Sequence, residues 1–100
     1  MRKALYPKDR YHHGHPDVAI SLNNLAIDLR QLGDYEGARA LDERALAMRE
    51  RLYGGDHPRV AVSLSNLAID LRQLDEPERA RELDEQALAM RQRLSRTSNQ

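Results

Sequence analysis

Residues 15–52 read HPDVAISLNNLAIDLRQLGDYEGARALDERALAMRERL, and residues 57–94 read HPRVAVSLSNLAIDLRQLDEPERARELDEQALAMRQRL. The second segment lies 42 residues after the first, and 28 of the 38 aligned positions are identical. A fixed period of this size is typical of a supersecondary unit that stacks on its own copy. The duplication therefore predicts a repeat solenoid rather than a globule built around one central core.

Each copy predicts two amphipathic helices, because apolar residues recur at spacings of three and four. The first-helix stripes are Val18, Leu22, Leu25, Ala26, Leu29 and Leu32, then Val60, Leu64, Leu67, Ala68, Leu71 and Leu74. The second-helix stripes are Ala38, Leu41, Ala45, Met48 and Leu52, then Ala80, Leu83, Ala87, Met90 and Leu94. Pro16 opens the first helix and Gly33 is a candidate to close it. The predicted fold is all-α, with two stacked antiparallel helix hairpins.

The repeat boundaries divide the chain into four segments. Residues 1–14 align with the end of a preceding second helix and its linker, so we interpret them as a degenerate remnant. The two repeats occupy residues 15–56 and 57–94. Residues 95–100 are polar and predict a disordered tail.

Composition narrows the possible functions. Sixteen basic and sixteen acidic residues give a formal net charge of zero, which disfavours nucleic acid as a partner. The chain has no cysteine, and no apolar run is long enough to span a bilayer. A cytoplasmic protein without cofactors is the simplest interpretation.

The repeat resembles the tetratricopeptide repeat (TPR) in its LNNLA segment at residues 22–26, its Gly-Asp-Tyr turn at 33–35 and its RAL segment at 44–46. The 42-residue period and the HPxVAxSLxNLA opening are similar to the long variant found in kinesin light chains and in many bacterial sensor proteins. The resemblance implies a protein- or peptide-binding scaffold without catalytic activity. It also implies that the chain could be a fragment or engineered piece of a larger bacterial signalling protein.

In such repeats the first helix of each hairpin lines the concave face, where an extended peptide is held. Carried over by motif position, this face comprises Ile20, Asn23, Asn24, Ile27, Arg30 and Gln31, with Val62, Ser65, Asn66, Ile69, Arg72 and Gln73 from the second copy. Asn24 and Asn66 are the leading candidates, because an amide can both donate to and accept from a peptide backbone. Solvated polar side chains on an exposed helix face are the competing interpretation.

Four acidic residues occupy positions where the family usually packs large side chains, namely Asp28, Asp42, Asp70 and Asp84. They could be read as paired carboxylates for acid–base chemistry or metal binding, but ion pairs with arginine are the favoured interpretation. Arg39 and Arg81 recur in both copies and are the expected partners. An Asp within ~4 Å of an Arg would support this interpretation.

The histidines His12, His13 and His15 could bind a divalent cation, but His57 repeats the position of His15 without any cluster. We therefore favour a polar linker, with His15 at the start of a helix, and predict no metal site.

Self-assembly is the alternative function. About three repeats are normally needed for a stable array, and this chain has two. We expect Leu83, Ala87, Met90 and Leu94 on the last helix to face water in a monomer. A homo-oligomer would cover them, in the simplest case a dimer, and exchange of hairpins is one way to form it.

Overall fold

The computed structural model describes residues 15–98, which form four α-helices. These are α1 (Pro16–Gln31), α2 (Tyr35–Tyr53), α3 (Pro58–Gln73) and α4 (Pro77–Ser98). Helix α1 packs against α2 and α3 packs against α4, while the two hairpins meet mainly where α2 lies on α3. The predicted all-α architecture of two helix hairpins is confirmed.

A histidine caps the first helix of each hairpin. Nδ1 of His15 accepts the backbone N–H of Asp17, and Nδ1 of His57 accepts that of Arg59, both at 3.0 Å. Each pairing satisfies a backbone donor that has no partner within the helix. The ring of His57 also stacks on Tyr53 with ring centroids 3.6 Å apart, and burial lowers its pKa. The repeated His-Pro pair therefore fixes where each hairpin begins.

The turn inside each hairpin needs one residue in the left-handed region. Gly33 has φ of 86°, and the equivalent Asp75 has φ of 65°. The following N–H then reaches back into the helix, from Asp34 to the carbonyl of Leu29 at 2.8 Å and from Glu76 to that of Leu71 at 2.9 Å. Both turns thus have the same geometry, although only the first contains glycine.

The apolar core lies between α2, α3 and α4. Val60, Ala61, Leu64 and Ala87 form one buried cluster, and Leu67, Ala68, Leu71 and Ala80 form another. The stripe predicted for α3 is therefore confirmed. The same stripe in α1 is buried only in part, because Val18, Leu25 and Leu32 are exposed.

Two expectations about α4 are wrong. Leu83, Ala87 and Met90 pack inward against α3, and Leu94 is half-buried, so none of them forms a water-facing strip. The exposed large apolar side chain of α4 is Leu88. Helix α4 also continues to Ser98, so residues 95–98 are helical rather than part of a disordered tail.

Candidate functional site

A buried charge network joins the two hairpins. Arg30, near the end of α1, donates from Nη2 to Oδ2 of Asp42 at 2.9 Å and from Nε to Oδ1 of Asp70 at 2.7 Å. Asn23 donates from Nδ2 to Oδ1 of Asp42 at 2.8 Å. Both carboxylates are fully buried. One guanidinium therefore holds a carboxylate from its own hairpin and one from the next.

Because Asp42 and Asp70 are buried around a single guanidinium, protonation of Asp42 is favoured. Burial, followed by hydrogen bonding to Asp70 and its charge, raises the pKa of Asp42 to about 8, although Asn23 and Arg30 oppose the shift. Burial alone would lower the pKa of Arg30, but Asp70 and Asp42 outweigh it and raise that pKa. Oδ2 of Asp70 accepts no hydrogen bond from the described residues, which leaves an acceptor for a proton on Asp42. With that proton bound, the Asp42 carboxyl is neutral beside the Arg30 guanidinium.

The ion-pair interpretation of the acidic residues is confirmed for Asp42, Asp70 and Asp84, but the expected partners are wrong. Arg39 pairs with Glu36 at 2.8 Å, and Arg81 lies 3.9 Å from Glu85. These arginines lie one turn from a glutamate on their own helix, which satisfies them locally.

The actual partners are Arg30 and Arg72, at the ends of α1 and α3. Arg72 pairs with Asp84 at 2.8 Å, as Arg30 pairs with Asp42. Asp28, the copy of Asp70, is exposed and makes no ion pair within residues 15–98. The recurrence of Arg30 and Arg72 was visible in the sequence, but their direction toward the second helix was not.

Arg49 forms a second polar contact between hairpins that sequence analysis missed. Its side chain is buried, and Nη1 donates to Oγ of Ser63 at 2.9 Å and to the carbonyl of Arg59 at 3.2 Å. Burial, followed by the charge of Arg59, lowers the pKa of Arg49. Its copy Arg91 is exposed and reaches Oγ of Ser65 at 3.3 Å. An arginine that recurs on a second helix gives no sequence-level indication that only one copy is buried.

The twelve residues predicted for the concave face divide into two rows. Eight of them follow one stripe along each first helix, at spacings of four, three and four. We name this stripe the open face: Ile20, Asn24, Ile27 and Gln31, with Val62, Asn66, Ile69 and Gln73. Ile20 and Asn66 are half-buried, and the other six are exposed.

The remaining four residues turn toward the second helices instead. Asn23 and Arg30 belong to the buried network, Ser65 accepts from Arg91, and Arg72 pairs with Asp84. Each of the four therefore makes at least one polar contact within the fold, and they lie one helical row away from the open face.

The ionisable side chains do not assemble into a metal centre within residues 15–98, where no group of three or more His, Asp or Glu side chains is placed to hold an ion. His15 uses Nδ1 as a helix cap, and His12 and His13 lie outside the described residues. None of the four helices is both long and apolar enough to cross a membrane.

Comparison with models of known protein families places the chain in one of them. A family model described as tetratricopeptide repeat matches residues 15–93, which covers both hairpins and most of the chain. No curated protein matches the chain.

Proposed function

Because the chain belongs to the tetratricopeptide repeat family, whose members are protein-interaction scaffolds, we propose that it binds an extended peptide segment of a partner protein along the open face. The described helices supply a continuous row of matched positions on α1 and α3 for such a segment. The proposal assigns no catalytic step to the chain.

One observation carries the proposal. Ile27 and Ile69 occupy the same position in the two hairpins, and each is 39% exposed. Their environments differ greatly in other respects, since α3 is covered by α2 and the described residues place no helix at the corresponding side of α1. Equal exposure therefore means that this position stays open regardless of the neighbouring hairpin. Branched apolar side chains kept at an open position favour contact with a partner.

Asn24 and Asn66 supply the polar component. Each lies one turn from an exposed or half-buried isoleucine or valine of the same stripe, and within residues 15–98 neither amide side chain makes a hydrogen bond. An amide beside apolar pockets can fix the main chain of a ligand while the pockets receive its side chains. This pairing of functions supports Asn24 and Asn66 as the anchors of the bound peptide.

Selection from a random peptide display library tests the proposal. Peptides that bind the wild-type chain would be titrated against the double variant Asn24→Ala, Asn66→Ala. Because each lost hydrogen bond costs about 0.5–1.5 kcal/mol, we expect the loss of two to weaken binding by roughly 5-fold to 150-fold. The matched control is Glu43→Ala, Glu85→Ala, a pair of exposed equivalent positions on the second helices. Peptides that bind both variants equally well, or a selection that yields no binder, would contradict the proposal.

The resemblance also supports a more specific assignment within the repeat family. We infer that the chain is of the long, kinesin-light-chain-like variant, because the His-Pro pair that opens each 42-residue repeat provides the helix cap in both hairpins. A cytoplasmic setting, a bacterial origin within a larger signalling protein and the absence of a nucleic-acid partner belong to the same inference. Self-association is the second candidate function, because the apolar side chains of Val18, Leu25 and Leu88 are exposed.

A further inference from the structure

We propose that copies of this chain associate head to tail, through contacts that repeat the internal junction between its two hairpins. The head face lies on α1 and consists of Val18, Ser21, Leu25 and Asp28. The tail face consists of Arg72, Asp84, Leu88 and Arg91. This proposal goes beyond peptide binding, because it uses a different surface and a second copy of the chain as partner.

The head face is the uncovered counterpart of a buried surface. Val18 is 44% exposed, whereas its copy Val60 is 2% exposed. Leu25 is 49% exposed, whereas its copy Leu67 is 4% exposed. The copies on α3 are buried because α2 packs on them. The closely similar sequence of α1 therefore presents the surface that a second helix of this type already covers once within the chain.

The tail face is the uncovered counterpart of the other side of that junction. Leu46 on α2 packs on both buried clusters, and its copy Leu88 on α4 is 57% exposed. Asp42 is fully buried at the junction, whereas the side chain of its copy Asp84 is 42% exposed. The surface that α2 offers to α3 is thus repeated, exposed, on α4.

The polar groups of the two faces are complementary. Arg30 uses Nη2 for Asp42 in its own hairpin and Nε for Asp70 in the next. Arg72 uses Nη2 for Asp84 in the same way. In a head-to-tail contact, the counterpart of Asp70 is Asp28 of the next copy, so Arg72 would complete the arrangement there.

A second polar pair fits the same junction. Arg49 donates to Ser63 across the internal junction. Their copies are Arg91 on the tail face and Ser21 on the head face, and both are exposed. Three apolar positions and two polar pairs therefore agree on one relative placement.

Charge also disfavours a contact between two head faces. A head-to-head contact would bring Asp28 against its own copy, whereas the tail face brings Arg72 to it. The favoured contact joins two different surfaces, so it leaves one face unused at each end and does not close on itself. The solution mass should therefore rise with concentration beyond that of a dimer, and the open face should lengthen with each added copy.

Two variants that each block one face test the proposal in the 100-residue chain. Leu25→Arg blocks the head face and Leu88→Arg blocks the tail face, and both residues are exposed enough to be replaced without unfolding, which circular dichroism would verify. By sedimentation velocity we expect the wild type to associate and each variant alone to be monomeric. An equimolar mixture should form a dimer and nothing larger, because one intact head meets one intact tail.

Ile27→Arg is the matched control on the same helix, and it should associate as the wild type does because its position is open in both hairpins. A wild-type chain that stays monomeric at all concentrations would overturn the proposal. So would a single variant that dimerises alone, a mixture that stays monomeric, or loss of association in the control. Peptide capture through Asn24 and Asn66 is measured separately, so failure of either idea is distinguishable from failure of the other.

Discussion

Arg30 in the first hairpin donates from Nε to Oδ1 of Asp70 in the second hairpin at 2.7 Å, across the junction between the repeats. The same guanidinium holds Asp42 of its own hairpin at 2.9 Å. The ionic contacts therefore fix the register of the two hairpins in addition to the apolar packing. A slip of α2 along α3 would separate Arg30 from Asp70. A buried ionic contact of this kind favours one register over alternatives more reliably than it adds stability.

Arg30→Ala should be strongly destabilising, because it leaves the buried carboxyl groups of Asp42 and Asp70 without the cation that both of them contact. Removing one partner of a buried ion pair costs about 3–5 kcal/mol. The matched control is Arg72→Ala, which removes the same interaction where both side chains are about half exposed, and exposed pairs contribute about 0.2–1 kcal/mol. Urea denaturation of both variants measures the difference. Similar losses for the two variants would mean that the junction does not depend on the network.

Asp42→Asn should change how stability depends on pH. The pKa of Asp42 is raised to about 8 in the folded chain, above its value near 4 when unfolded, so the native state binds more protons between these values. Wild-type stability from this group therefore falls as pH rises from about 4 to about 8. Asparagine does not titrate, so the variant should gain on the wild type by roughly 1–2 kcal/mol between about pH 6.5 and 8.5, at 1.36 kcal/mol per pH unit.

The pH range above about 6.5 is chosen to avoid the capping histidine. The pKa of His57 is lowered in the folded chain, so the pH dependence from this residue has the opposite sign. Its contribution to stability is lost as the pH falls below the pKa of an ordinary histidine. Asp84→Asn, which makes the same substitution at the equivalent half-exposed position, is the matched control. Thermal unfolding, followed by circular dichroism at several pH values in this range, provides the measurement. If the stabilities of the wild type and Asp42→Asn changed with pH in parallel, protonation of Asp42 in the folded chain would be contradicted.

Leu67→Ala should cost far more stability than Leu25→Ala, although the two residues are copies of one another. Leu67 lies in a buried cluster at the junction, where truncation of leucine costs about 2–5 kcal/mol. Leu25 is about half exposed in the single chain, so its truncation should stay near 0.5 kcal/mol. Urea denaturation, carried out at a protein concentration too low for the chains to associate, compares the free energies of unfolding of the two variants. Equal losses would show that something covers α1 in the isolated chain.

The sequence predicted the fold well because the 42-residue repeat is present in two copies and residues that start or stop helices flank its helices. Pro16, Pro58 and Gly33 lie where the helices and turns require them. Sequence analysis erred where identical residues have different neighbours. Val18 and Val60 have the same pattern, but only the second is covered, and no periodicity distinguishes them.

The candidate site was predicted less completely. The row that contains Asn24 and Ile27 was assigned correctly to an accessible stripe of α1, but Asn23 and Arg30 lie one row away, toward α2. A difference of one residue rotates a helical side chain by about 100°, so motif position alone does not separate adjacent rows. The partners of the acidic residues required three helices at once, because Arg30, Asp42 and Asp70 come from α1, α2 and α3.

Asp75→Gly should stabilise the second hairpin. Asp75 adopts φ of 65°, in the region where Cβ crowds the backbone, while the equivalent position in the first hairpin is Gly33. A left-handed conformation costs an ordinary residue roughly 1–2 kcal/mol, and somewhat less for Asp, so relief of this strain should outweigh the greater freedom of glycine in the unfolded chain. We expect a gain of up to about 1 kcal/mol in urea denaturation. Gly33→Asp is the matched reverse substitution and should lose a similar amount. If Asp75→Gly instead lowered stability while Gly33→Asp did not, the Asp75 side chain would have to contribute more than its backbone conformation costs.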